Sequence, residues 1–252
     1  MTIKRFGLAA VAALCAAGLS APSLALKPAT AAAAKPAKAS AVLAEADVSP
    51  ALILPPPPAR GSAQEAAELA EVRRIAGSAT PERLAQARAD DIHEDPSIFD
   101  ATIGGGFAAK RLPATWALLR LVQDEGEAAA AASKRYFNRT RPWGIDSTLT
   151  HCGADNKFIK SNHSYPSGHA TLGYSVGFVL AELIPEKAQA IEIRAADYAY
   201  SRIVCAVHFR SDTEASHALG VLVATRLLAA PALGKRIAAA RAELQAARFT
   251  AR

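Results

Sequence analysis

Three short segments carry residue types whose spacing suits chemistry on an anion. In Lys134-Arg-Tyr-Phe-Asn-Arg-Thr-Arg141-Pro142, two long basic side chains stand seven positions apart. On one continuous helix that spacing puts Lys134 and Arg141 on the same face, about 10 Å apart along the axis. Arg141 offers a planar fork and Lys134 a point charge, so the pair can grip one dianion, with Pro142 ending the helix. Taken alone, the segment reads more readily as a solvated basic helix end, which the helix dipole favours.

The second segment, Ser164-Tyr-Pro-Ser167-Gly168-His169-Ala-Thr, opens an apolar stretch of helical character. Backbone N–H groups at such a helix start aim at an anion. The Ser167 hydroxyl adds a donor, Gly168 lets the backbone approach closely, and His169 arrives beside the anion. A turn and cap with an exposed histidine is the equally weighted alternative. In the third segment Arg202, His208 and Asp212 follow one another. Arg202 can bind phosphate, and Asp212 can accept from one nitrogen of His208, leaving the other free to attack. A purely structural His–Asp pair would use the same residues. What outweighs these three separate alternatives is that cationic binders, a histidine acid, a histidine nucleophile and its carboxylate all occur together and in this order.

The elements that must position them are helices. From Ala63 onward the chain is rich in Ala, Leu, Glu and Arg with few β-branched runs, which predicts an all-α fold. Helices are expected at about 63–75, 81–90, 113–124, 126–140, 168–183, 186–206, 212–229 and 232–248, with Thr80 as a cap and Pro81 in a first turn. The triple glycine at 104–106, the stretch from His151 to Pro166 and the residues from His208 to Ser211 are expected as loops. The glycines suit equally a mobile loop bordering the site and a tight turn between helices.

At the N-terminus Lys4 and Arg5 precede an apolar stretch reaching about Ala21 and a small-residue exit at Ser23-Leu24-Ala25, the pattern of a secretory signal covering residues 1–25. That stretch falls short of the ~20 apolar residues needed to span a bilayer, and no interior run is long enough to cross one. Residues 26–53 read as a flexible leader of Ala, Pro and Lys without aromatic residues, and the catalytic domain as 54–252. Export to the periplasm removes Cys15 and leaves Cys152 and Cys205. An oxidising compartment favours pairing them, two buried thiols being the alternative.

The formal charge of +6 falls to +4 once Lys4 and Arg5 are removed, too mild to call for nucleic acid as a partner. No His/Asp/Glu group has convincing metal-ligand spacing. The nearest, Asp90-Asp-Ile-His-Glu-Asp95, reads as a solvated acidic turn.

Together the segments resemble the three-part signature of the type 2 phosphatidic acid phosphatase superfamily: Lys, six residues, Arg-Pro; then Pro-Ser-Gly-His; then Ser-Arg, five residues, His, three residues, Asp. Within it, Leu54-Pro55-Pro56-Pro57-Pro58, Gly61-Ser62, the Ser-Tyr before Pro166, Cys205 and Ser211-Asp212 look like the secreted class A acid phosphatases, a likeness reaching over about residues 54–248. The resemblance implies a helical bundle that hydrolyses small phosphate monoesters with neither metal nor other cofactor. In it His208 becomes a phosphohistidine, Asp212 orients it, and His169 protonates the leaving oxygen and then activates water. Lys134, Arg141, Ser167, Gly168 and Arg202 hold the phosphoryl oxygens. Departures fall beside the signature, at Asn162-His163, Trp143 and Ala170. Vanadium haloperoxidases, membrane-spanning lipid phosphatases and a non-catalytic phosphate-binding protein are the competing readings, and homo-oligomerisation is open.

Overall fold

The computed structural model describes residues 40–153 and 159–251, so the expected signal sequence and residues 26–39 of the expected leader lie outside the described residues. Seven helices longer than two turns carry the architecture: α1 Ala63–Ser78, α2 Pro81–Ile92, α3 Pro113–Phe137, α4 Gly168–Leu183, α5 Ala188–Val204, α6 Arg210–Ala229 and α7 Gly234–Ala246. Short helical turns link them, and the described residues contain no strand. The all-α expectation holds.

Local chemistry sets the helix starts. The Ser62 hydroxyl accepts from the Glu65 N–H at the head of α1, and the Thr80 hydroxyl from the Arg83 N–H at the head of α2, where Pro81 takes the first position. Helix α4 is apolar nearly all round, the mark of a central helix. It packs against α3, α5 and α6. Gly220 of α6 shows how close that packing is: a Cβ there would lie 2.8 Å from Tyr174 Cβ and 3.0 Å from Ser175 N of α4. The larger core cluster runs along α4 from Leu172 to Leu183. A smaller one joins Leu69, Val72 and Ile75 of α1 to Ala87 of α2, to residues 203–207 and to Phe209.

Two expectations need correcting. The predicted break between helices at residue 125 is absent, because α3 runs unbroken for 25 residues. Gly126 serves packing there, since a Cβ would stand 3.2 Å from Ser175 Oγ of α4. The leader is not flexible through residue 53. Its described part docks on the bundle, where the buried Glu125 carboxylate accepts from the N–H groups of Ala41, Val42 and Leu43, and Leu43 and Val48 are buried. Backbone donors without water need such an acceptor. Of the two readings left open for the triple glycine, the structure has the turn, with φ of 70°, 62° and 82°, whose Gly105 carbonyl accepts from Arg111 and which packs near Phe249. That turn does not line the pocket described below.

Among the described residues no single helix is long and apolar enough to cross a membrane. The pair formed by α6 and residues 231–246 passes only jointly, and is bent by 72°.

Candidate active site

Lys134 and Arg141 meet without sharing a helix face. Helix α3 ends at Phe137, where Asn138 turns left-handed (φ 49°, ψ 39°) and returns its N–H to the Lys134 carbonyl. The chain doubles back through Arg139, and Arg141 sits extended at the start of the short helix Pro142–Ile145, as a residue before proline prefers. Arg141 is held there by carbonyls: its N–H donates to Ser161, its Nε to Lys160 at 3.0 Å and its Nη1 to Val207 at 2.8 Å.

His208 is buried at the head of α6. Its Nδ1 lies 3.2 Å from Asp212 Oδ2, and its Nε2 3.0 Å from Arg141 Nη1. A guanidinium only donates, so Nε2 holds a lone pair and Nδ1 the proton. Burial first, then the charges of Arg141, Lys134 and Arg202, hold the His208 pKa well below the usual histidine range, against a Ser164 backbone hydrogen bond that raises it, so the imidazole is neutral. Asp212 is fully buried yet surrounded by donors. Besides His208 it accepts from Ser164 Oγ at 2.6 Å, the Phe209 N–H at 2.8 Å and Arg139 Nη1 at 2.7 Å.

The head of α4 is capped by the Ser167 hydroxyl, which accepts from the Ala170 N–H. The Ser167 N–H donates to Ser216 Oγ, and Ser216 Oγ to the Asp212 carbonyl, tying the loop to α6. His169, one residue into the helix, stacks on Tyr198 of α5. Its Nε2 is 3.0 Å from the Asp91 carbonyl and its Nδ1 3.3 Å from Glu94 Oε1.

A pocket of about 270 Å³ lies where these pieces meet, lined by Lys134, Arg141, Gly168, His169, Arg202 and His208 among others. Of the eight residues singled out in the sequence, these six face the cavity. Asp212 stands behind His208, and Ser167 beneath the helix end. Burial, with Arg141 and Arg202 nearby, lowers the Lys134 pKa to about 7, and burial with Arg202 lowers that of Arg141 to about 10. Three crowded cations, of which Arg202 is paired with Asp91, give the cavity a charge that suits a multiply charged anion. Arg202, 3% exposed, has no hydrogen-bond partner for Nε among the described residues, and its Nη1 contacts Asp91 Oδ1 at 2.7 Å without hydrogen-bond alignment. Among the described residues no three His, Cys, Asp or Glu side chains group to hold a metal ion.

Cys152 and Cys205 form a disulfide, closing the loop after Trp143 onto the end of α5 three residues past Arg202. The PAP2 superfamily profile matches residues 116–233, and the non-specific acid phosphatase of Salmonella typhimurium is 33% identical over 205 residues, 79% of this chain and 82% of that protein. The chain belongs to the PAP2 superfamily. Two further relatives are the non-specific acid phosphatase of Providencia stuartii, 29% identical over 76% of this chain and 79% of that protein, and the acid phosphatase of Zymomonas mobilis, 32% identical over 80% and 78%.

Sequence reasoning missed four residues of this PAP2 site. Arg139 and Ser164 both grip Asp212. Arg139 shares the segment of Arg141, but nothing in the spacing separates a buried arginine from a solvated one. Asp91 and Glu94 belong to the stretch expected as a solvated acidic turn, an expectation that holds for the exposed Glu94 and fails for Asp90. Asp90 is buried and paired with Arg194 at 2.6 Å and with Ser201 Oγ at 2.6 Å, while Asp91 and Glu94 line the pocket. Cations on α5, remote in sequence, turn the acidic run inward. Trp143 stacks instead on His151, outside the cavity.

Proposed function

We propose that this PAP2 chain hydrolyses phosphate monoesters through a phosphohistidine on His208, without a metal ion, in the periplasm. It is a phosphoric monoester hydrolase, and its relatives are named acid phosphatases. The observation that carries the mechanism is the His208 tautomer. Its Nε2 lone pair faces the cavity, its Nδ1 proton is directed to a buried carboxylate, and Arg141 sits beside the attacking atom.

In the proposed cycle Lys134, Arg141 and Arg202, with the N–H groups at the head of α4, hold the phosphoryl oxygens. Phosphoryl transfer needs chiefly positioning and charge neutralisation, which three cations supply. His208 Nε2 bonds to phosphorus as the ester P–O bond breaks, and the leaving oxygen takes a proton from His169. Asp212 stabilises the positive charge that develops on the His208 ring. Water then attacks the phosphohistidine, losing a proton to His169, and phosphate departs with Nε2 regaining its lone pair. The Cys152–Cys205 disulfide and the N-terminal pattern support an oxidising, exported setting.

Acid quenching during turnover of a 32P-labelled ester tests the reading. Label is expected on histidine in the wild type and absent in His208→Ala. Label on serine or aspartate, or activity lost to EDTA and restored by a divalent ion, would contradict it.

A further inference from the structure

The acidic end of α2 and the turn after it offer His169 two contacts that together leave a proton to be placed. The Asp91 carbonyl, 3.0 Å from Nε2, can only accept, so Nε2 carries a hydrogen. Nδ1 then lies at ion-pair distance, 3.3 Å, from Oε1 of the half-exposed Glu94, without hydrogen-bond alignment. A bare imidazole lone pair against a carboxylate would be repulsive, so one proton belongs between them, as imidazolium with carboxylate or as imidazole with carboxylic acid. The turn is held for this purpose at two carbonyls: His93 O accepts from Tyr198 Oη at 2.7 Å, and Glu94 O from Gln123 Nε2 at 2.8 Å. Tyr198 also stacks beneath the His169 ring.

We infer that Glu94 is the proton-holding partner of His169, so that the leaving-group proton belongs to a Glu94–His169 pair rather than to the imidazole alone. This rests on the proposed role of His169 as general acid. The electrostatic setting calls for such a partner. Burial, Arg202, Lys134 and His208 all disfavour a charged His169, opposed only by the Asp91 carbonyl. An isolated imidazole there would give up its proton well below neutral pH. On the other side partial burial, Glu127 and Asp91 raise the Glu94 pKa, against Lys134 and Arg202, although half of the side chain stays open to solvent. Neither shift is caused by the other group, so the pairing rests on the 3.3 Å contact between them.

The proton balance is simple. As P–O breaks, the shared proton passes from His169 Nδ1 to the leaving oxygen, and the pair is left as imidazole with carboxylate. Water attacking the phosphohistidine gives its proton back to Nδ1, and the N–P electron pair returns to His208. Glu94 never touches phosphorus and acts through His169, as a positioning residue.

The test is the pH profile of kcat/KM for Glu94→Gln and Glu94→Asp, with glycerol phosphate and nitrophenyl phosphate compared. Glutamine keeps the shape but cannot exchange the proton, and its N–H would occupy Nδ1. For glycerol phosphate the alkaline limb is expected to move down by about one pH unit or more, with at least ~10-fold loss at pH 6, within what a positioned acid contributes. Nitrophenol, a good leaving group, needs little protonation, so its burst rate should stay within about twofold. That ester also reports the titration of Lys134 and Arg141, which both substrates share. Glu94→Asp should restore part of the glycerol phosphate limb. Equal losses for both esters, or an unmoved profile, overturn the inference. His169→Ala separates the two layers. If it hits both esters alike, the acid role of His169 falls and the Glu94 inference with it. If it spares the nitrophenol burst while Glu94→Gln leaves glycerol phosphate untouched, only the Glu94 inference falls.

Discussion

Arg139 and Asp212 form a buried ion pair, Nη1 to Oδ1 at 2.7 Å, directly behind the His208 imidazole. Arg139 also reaches Glu68 Oε2 at 2.7 Å and lies 4.1 Å over the Phe209 ring, so α1, the α3 turn and α6 meet on one guanidinium. Opposed by burial, Asp212 and Glu68 nonetheless raise its pKa. Arg139→Met strands the Asp212 charge, and breaking a buried pair costs about 3–5 kcal/mol. A large drop in melting temperature is expected, with kcat falling more than KM rises because the carboxylate that orients His208 is no longer held. Arg139→Met with unchanged kcat would remove the orienting role.

His208→Ala should abolish turnover while leaving the fold intact, since no other side chain in the cavity is placed to be phosphorylated. Phosphate release below about 10⁻³ of wild type is expected, in the range lost when an enzyme's nucleophile is deleted. Phosphate release is checked beside a thermal melt within a few degrees of wild type.

Lys134 makes the free enzyme sensitive to pH. With its pKa lowered to about 7, it is cationic below and neutral above that value, so kcat/KM should fall as pH rises through 7, up to tenfold per unit. Stability runs the other way. The unfolded chain binds the Lys134 proton up to its ordinary range while the folded one has released it, so between about 7 and that range this group's contribution grows with pH. Lys134→Met should therefore melt higher than wild type at pH 6 and be nearly inactive. A lower melting temperature would contradict a strained cation at this position.

Gly168→Ala tests the anion seat without touching a charge. A Cβ at Gly168 would stand 3.4 Å from Lys134 Nζ, inside the cavity at the head of α4. KM for phosphate esters and the inhibition constant for vanadate should both rise about tenfold or more, the equivalent of ~1.4 kcal/mol of anion binding. Circular dichroism should be unchanged. Wild-type affinity would mean that phosphate sits elsewhere.

Reducing the Cys152–Cys205 disulfide frees a loop of 53 residues, worth roughly 4 kcal/mol by chain entropy. For a chain of this size that is a fall of about 8–16 °C in melting temperature. A double Cys→Ser variant is the clean comparison, read by calorimetry without reductant.

The sequence by itself determined the helical class, the start of α4 at Gly168 and the eight residues of the signature, because these depend on local rules: helix propensity, capping at Ser167, and residue types at fixed spacing. It also yielded Cys152 and Cys205 as a candidate pair, though not their proximity. Only the tertiary structure decided how those residues meet. Lys134 and Arg141 were expected on one helix face, but Asn138 turns the chain and the two converge through a reversal held by carbonyls of residues 160, 161 and 207. The run from Asp90 to Asp95 looked like solvated charge, since acidity alone does not reveal whether a cation waits across the fold. Arg194 and Arg202 on α5, more than a hundred residues later, draw Asp90 and Asp91 inward and bring Glu94 to His169. Burial and long-range pairing of charges are properties of the packed bundle, and they turn an acidic turn into a wall of the active site.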